Sequence, residues 1–473
     1  MDGQTPGAAR SERRFFVALV AAAAISRLIW AIWVHPAPDH VYSDMAHYVF
    51  RARELAEHGF VPGTRSLAWQ AWGTHVLLAI PMILLGPDGS AALELAGLIW
   101  AGCSAATVIL GYRLAQRSHT GDSPWPPRIV GVALLLWIPL LSHTGYFVSE
   151  TPFTCVLLAT TLGAAKMIQE GRGALAAGCW GAVAFALRPQ VAVFFVLLAL
   201  LWLVDRHALG RSTTPRWSSR VSPRLALIFA IPLLLMLAFS MARFRVHTGR
   251  WGGVAENANM NLTAGRCHNI VTRAFPSEAD MLAVPDPADT GAGRRVSLPG
   301  FRALAGHGDD HPLALRPALG GESIDFVGSI GDPEIHREFR RRCLAATGVV
   351  GQLRYSLVNA SLSWVVARPW PESSDHRSPW ALPLAQRGRQ LAALLALPAL
   401  LAMVLVLWRL LRQGREPVLA LSALQLLTMV VVAAVFFGSP RLRTPSDPYA
   451  LILLILLVGE RGLIAVRGSA SRR

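Results

Sequence analysis

Lysine is almost missing from this chain: Lys166 stands alone among 45 Lys and Arg residues. That bias says nothing about mechanism, but the arginines gather at the ends of apolar segments, with no basic groove interleaved with aromatics. The net charge of +16 therefore follows the positive-inside pattern of membrane proteins, and a nucleic-acid partner is excluded. Cysteine is also scarce. The five present form no metal-ligand spacing, and Cys103, Cys155 and Cys179 lie inside apolar segments, where they pack as small hydrophobes. Cys267 and Cys343 belong to a polar stretch, and they read equally as a disulfide in an oxidising compartment or as two thiols. Internal repeats are absent. So is a clear cleavage site after Arg10, Arg13 and Arg14, so the apolar run that follows reads as an uncleaved first transmembrane helix.

What the chain does have is apolar length. Over 473 residues, 53% are hydrophobic and the mean hydropathy is +0.41, although a polar stretch near residues 241–387 dilutes that mean. Runs of about 20 apolar residues fall at 15–34, 91–115, 128–146, 151–168, 174–188, 190–204, 223–241, 390–410, 417–437 and 448–464. The expectation is an all-α polytopic membrane protein with about ten spans, amphipathic helices on its outer face and a mixed extracytoplasmic insert. Its parts are an N-terminal transmembrane module (1–241) with a first outer loop at 35–90, the insert (242–388) and C-terminal transmembrane helices (389–473). The basic clusters place both termini on the cytoplasmic side of the inner membrane. Residues 75–85 are too short and too proline-broken for a span, and read as a helix in the outer leaflet.

Val41–Phe60 is the stretch around which the rest is arranged. At helical spacing Met45, Tyr48, Val49, Ala52, Leu55 and Ala56 form an apolar stripe, while His47, Arg51, Arg53, Glu54, Glu57 and His58 face away. This pattern predicts an amphipathic helix on the membrane surface, capped by Ser43, stopped by Gly59, with Asp44 in its first turn. On this topology Arg188, Arg441 and Arg443 fall on the outer side, against the charge bias. A guanidinium fork there suits a phosphate held bidentately, with snorkelling to lipid headgroups as the plain alternative. Glu150 opens the fourth span as a second acid on that side, or as a charge at a helix start. The Gly- and Asn-dense run 243–269, with Asn259 and Asn261, suits tight backbone around a polar ligand such as a sugar.

Taken together, an acid after the first span within SDMAHY, an SE pair opening the fourth span, the LRP turn at Arg188 and the terminal PRLRTPSDPY resemble the GT-C superfamily of membrane glycosyltransferases. The nearest branch in pattern is the bacterial dolichyl-phosphate-mannose-protein mannosyltransferase-like (family 39-like) group. The resemblance implies that Asp44 is the first-loop catalytic acid and Glu150 the acid of the second outward loop. It further implies that Arg441 and Arg443 hold the lipid phosphate, where Arg188 joins them by its place on the outer side; Tyr48, His143, Asn259 and Asn261 are the residues expected to contact substrate. The second acid that often follows the first in that family is Met45 here, which puts a metal role in doubt. A divalent cation on Asp44 with His40, His47 and His143 stays open, but their spacing fits no standard ligand set and no cofactor is assigned.

A sugar on a polyprenyl phosphate carries its own stable leaving group, so the chemistry needs one base and a cationic clamp. The expected activity is transfer from such a donor to a hydroxyl of a lipid, glycan or protein acceptor of the cell envelope, with inversion. Two other classes compete with it: a transporter or flippase of a lipid-linked saccharide, which would show polar groups near the bilayer midplane, and a non-catalytic membrane partner.

Overall fold

The computed structural model describes residues 6–207, 217–267, 271–275, 294–297, 323–327, 331–364, 380–414 and 416–470. Most of the Gly-, Pro- and Asp-rich stretch 271–332, expected to be loop and mixed structure, lies outside those residues. Within them the chain is helical apart from one three-stranded sheet. In it β1 (Val271–Phe275) runs antiparallel to β2 (Arg294–Ser297) and parallel to β3 (Ser323–Val327).

Eight helical segments among the described residues are long and apolar enough to cross a membrane, which makes this a multi-pass membrane protein. In chain order the helices are α1 (Pro6–Ile29), α2 (Asp44–His58), α3 (Gly73–Leu85), α4 (Ser90–Ser118), α5 (Trp125–Leu136), α6 (Ile138–His143), α7 (Glu150–Glu170), α8 (Ala174–Leu187), α9 (Ala192–His207) and α10 (Pro223–Thr248). Then follow α11 (Asn257–Cys267), α12 (Pro333–Leu362), α13 (Ala381–Leu394), α14 (Ala396–Gln413), α15 (Pro417–Val435), the single turn α16 (Pro440–Arg443) and α17 (Asp447–Ala470).

Two of the ten expected spans are shorter than the bilayer requires. The span expected at 128–146 breaks at Trp137 (φ −72°, ψ 100°), and Pro139 opens the separate helix α6. The break is held by tertiary bonds: Trp137 Nε1 donates to Asp447 Oδ2 (2.8 Å), and the fully buried Arg27 donates to the carbonyls of Leu135 (2.8 Å) and Leu134 (3.2 Å). A guanidinium thus bonds carbonyls at the end of α5, that of Leu134 also accepting from the Trp137 amide (3.4 Å). The other short segment is α8, 14 residues between Gly173 and Arg188.

The largest buried cluster joins α1, α4, α5, α7, α9, α14, α15 and α17 through residues such as Tyr112, Leu134, Leu158, Phe194, Leu424 and Tyr449. A second cluster corrects the reading of α2. Its stripe of Met45, Tyr48, Val49 and Ala52 packs on Leu78 and Met82 of α3 and on Ala96 and Trp100 of α4, so it faces protein instead of lipid. Arg51, expected to point outward, is buried and donates to the Ser66 carbonyl (2.7 Å), the His47 carbonyl (3.1 Å) and Gln70 Oε1 (2.7 Å). Ser66 and Gln70 lie on the loop that follows α2, which folds back over Arg51 and leaves Glu57 and His58 of the polar side exposed.

Candidate active site

Four segments distant in sequence meet where α2 begins. Ser43 precedes that helix with a left-handed backbone (φ 52°), and its hydroxyl does not cap the helix, contrary to expectation. The Tyr42 carbonyl instead accepts from the amides of Met45 (3.0 Å) and Ala46 (3.4 Å), making the tight turn that sets Asp44 at the first helical position. At the other end Gly59 (φ 66°) stops the helix, its amide donating to the Leu55 carbonyl (3.0 Å), as the sequence suggested.

Arg441, on the single turn α16, reaches two carboxylates at once. Its Nη1 donates to Asp44 Oδ2 (3.1 Å), its Nη2 to Glu150 Oε2 (3.3 Å), and its Nε to Glu150 Oε1. Arg188, in the extended turn after α8, adds an ion pair from Nη1 to Glu150 Oε1 (3.2 Å) and lies over the Phe153 ring (5.7 Å). Glu150 is fully buried and held between the two guanidiniums, whereas the Asp44 side chain keeps 39% of its surface exposed. Two carboxylates and two guanidiniums leave these four groups with no net charge. Asp44 is therefore the accessible carboxylate of the two, and Glu150 fixes the arginines.

Tyr48 stands one turn along α2 from Asp44 and is buried. Burial pushes its hydroxyl above the usual phenol range, and the Asp44 carboxylate acts in the same direction. It is a neutral hydrogen-bonding group beside the cluster. On the far side of Glu150, His143, Thr151, Thr154, Ser104 and Thr107 surround a cavity of about 10 Å³, room for one water. His143 Nδ1 lies 2.7 Å from the Pro139 carbonyl and so carries the hydrogen, which leaves Nε2 as an acceptor in that interior. Asp44, Tyr48, Glu150, Arg188 and Arg441 thus come together, with His143 behind them.

Three other expected site residues have their contacts elsewhere. Arg443 is buried, pairs with Asp447 (3.0 Å), donates to the Ser363 carbonyl (3.3 Å) and lies over the Trp364 ring. Asn259 and Asn261 lie on α11, so the tight non-helical backbone expected there is a helix. The Asn259 carbonyl accepts from Thr263 Oγ1 (2.9 Å) and Arg340 Nη1 (3.3 Å). Helix α11 packs on α12, to which the Cys267–Cys343 disulfide links it.

The polar groups that the sequence did not announce lie inside the bundle: Gln425 Nε2 donates to Thr161 Oγ1 (3.1 Å), which also bonds the Tyr449 hydroxyl (2.9 Å). These neutral groups satisfy one another. Among the described residues no three His, Cys, Asp or Glu side chains cluster as a metal site. Arg441 stands between Asp44 and Glu150, so a divalent cation shared by these acids would have to displace a guanidinium, and the residues do not fit a resident metal.

Beside the cluster opens a cavity of about 40 Å³, lined by Phe153, Gln190, Val191, Met429, Val432 and Leu442 among others. It runs between α7, the turn after Arg188 and α15, and reaches the segment that carries Arg441.

No family model matches the chain, and no curated protein matches it. Two solved structures are similar. One is the archaeal oligosaccharyltransferase AglB from Archaeoglobus fulgidus, in complex with an inhibitory peptide and a dolichol-phosphate, at 10% identity and a TM-score of 0.49. The match covers 98% of this chain and 52% of that one, so the present chain spans about half the length of AglB. The other is apo ArnT from Cupriavidus metallidurans, at 14% identity and a TM-score of 0.37, covering 94% of this chain and 77% of that one.

Proposed function

We propose that this chain is a membrane-embedded glycosyltransferase that moves a sugar from a polyprenyl-phosphate donor to an acceptor hydroxyl on the extracytoplasmic side of the inner membrane. One observation carries the reading: an accessible carboxylate, Asp44, is held by an arginine whose other partner is the fully buried Glu150, next to an apolar cavity.

In this reading the acceptor oxygen attacks the anomeric carbon while its proton passes to Asp44. The bond from that carbon to the phosphate oxygen breaks, and polyprenyl phosphate leaves with the electron pair. In-line attack inverts the anomeric centre. Arg188 and Arg441 lie where charge grows on the leaving phosphate. In the resting arrangement Arg441 occupies Oδ2 of Asp44. An anionic donor competes for the same guanidinium and draws it off, so Asp44 is freed as a base when the donor is in place. The cavity, apolar over most of its lining, takes the lipid end of the donor next to the phosphate, while Tyr48 is a neutral hydrogen-bonding group beside Asp44 and His143 an acceptor behind Glu150. Arg443, Asn259 and Asn261 act in this reading through the segments they hold.

The test is release of polyprenyl phosphate by the purified protein in nanodiscs, offered a panel of polyprenyl-phosphate sugars with membrane extract as acceptor. Wild-type turnover with a loss of 100-fold or more in Asp44→Asn is expected, the range seen for a positioned general base. Equal turnover in the two proteins would overturn the assignment of Asp44. Saturable donor binding without turnover in the wild type would overturn the enzymatic reading in favour of a carrier.

A further inference from the structure

Helix α12 is interrupted at Gly348, whose backbone (φ 61°, ψ −176°) is open only to glycine. Around this elbow the surface is apolar. Val349 and Val350 are 78% and 81% exposed, Leu353 and Leu357 continue the stripe at 60% and 71%, and Leu344 joins it before the bend. Gln352, Tyr355, Val358, Asn359 and Leu362 form the opposite, buried side. An exposed apolar surface of this kind, in which Arg354 is the one charged residue among 349–357, marks contact with another phase or another molecule.

Its height in the fold says which. The buried side of α12 sits on the end of α15: the Gly438 backbone touches the Asn359 carbonyl so closely that a Cβ there would lie 1.7 Å from that oxygen. Arg266 ties the two together, donating to Ser356 Oγ (3.0 Å) and to the Ala434 carbonyl. Helix α15 has 19 residues, or about 28 Å at 1.5 Å per residue, close to the thickness of the hydrocarbon layer. Its last turn therefore marks the edge of that layer, and residues 352–359 lie at that edge. Arginines flank the apolar stripe, with Arg341 and Arg342 exposed before the bend and Arg354 exposed after it. Apolar residues on one face and arginines beside them suit the boundary between acyl chains and anionic headgroups.

We infer that residues 344–357 are a membrane-dipping elbow, seated in the outer headgroup and upper acyl region, with lipid as the occupant of the stripe. The elbow fixes the disulfide-linked pair α11 and α12 to the bilayer. Through Asn359 on Gly438 and Ser363 on Arg443 it steadies the segment that carries Arg441. The inference rests on the membrane reading alone and stands whichever reaction the site performs.

Nitroxide labels at single cysteines test it in the full chain, with Cys103, Cys155 and Cys179 replaced by alanine and the disulfide retained. The labels go at Val350→Cys and Leu357→Cys, with Leu401→Cys on a spanning helix as the lipid reference and Arg341→Cys as the water reference. In nanodiscs of phosphatidylcholine and phosphatidylglycerol, positions 350 and 357 are expected to collide with oxygen in preference to a water-soluble nickel chelate, as position 401 does. A preference for the nickel chelate, like that at 341, would overturn the elbow. Protection from both reagents, with spin–spin broadening, would assign the stripe to a second copy and overturn it equally.

Discussion

Glu150 has no exposed surface and two arginine partners, so its removal leaves two cations in a place built for a neutral set. Breaking a buried pair by taking away one partner costs about 3–5 kcal/mol, more than the pair itself contributes. Glu150→Gln should therefore lower the melting temperature in detergent clearly, and Glu150→Gln/Arg188→Gln should recover part of the loss by removing one stranded charge. A double variant less stable than the single would show that Arg188 serves mainly through its stacking on Phe153. The charges of this cluster were legible one by one in the sequence, because an acid or arginine at the edge of an apolar run is rarely idle. Their pairing was not. Arg441 and Arg443 belong to one short motif, yet Arg443 turns inward because Asp447 stands four residues on, at the helical spacing that brings side chains together. Arg51 turns inward for a related reason: periodicity reports which side of a helix is apolar, and cannot report that a later loop will bring the Ser66 carbonyl and the Gln70 side chain to one arginine of the polar side.

At the scale of elements, length and hydropathy were enough to find the long helices, since a bilayer demands about 20 apolar residues whatever they pack against. They could not find the break at Trp137, which depends on Asp447, 310 residues away in the chain. Nor could they find how the α11–α12 pair seats on the end of α15, because the signal there is two glycines among 40. A Cβ on Gly265 would lie 1.5 Å from the Phe436 carbonyl oxygen, so backbone lies directly against backbone. Gly265→Ala must then push α11 off the segment 435–438, and overpacking of this kind costs about 1–3 kcal/mol or more. Gly102 in α4 offers the control: nothing lies within 4 Å of a Cβ there, and alanine gains about 1 kcal/mol of helix propensity. Thermal unfolding should show Gly265→Ala destabilised and Gly102→Ala unchanged or improved. An unperturbed Gly265→Ala would mean that the two elements do not touch in this way.

The whole molecule divides its contacts unevenly: the spanning helices share one large buried cluster, while α11 and α12 reach them through the seat on α15 and are joined to each other by one disulfide. Cys267 and Cys343 lie 76 residues apart in sequence with their Cα atoms 5.2 Å apart. On the chain-entropy account, closing a loop of that length removes about 4.5 kcal/mol of freedom from the unfolded chain. A bond of this kind persists in an oxidising compartment, which agrees with the extracytoplasmic side proposed for the insert and for the Asp44 cluster. In intact cells a membrane-impermeant maleimide should label an exposed cysteine placed by Arg341→Cys, with Cys103, Cys155 and Cys179 replaced by alanine, whereas the buried Cys267 and Cys343 should take up maleimide only when the protein is denatured and reduced. Cys267→Ser and Cys343→Ser should each unfold at a lower temperature than wild type, with the double variant no worse than either single one, since the bond is lost once. If the maleimide reaches position 341 only after the cells are permeabilised, the insert is cytoplasmic and the orientation proposed for the Asp44 site is reversed. Labelling of Cys267 and Cys343 in the denatured protein without reduction would keep the orientation and remove the disulfide, and with it the extra stability assigned to the α11–α12 pair.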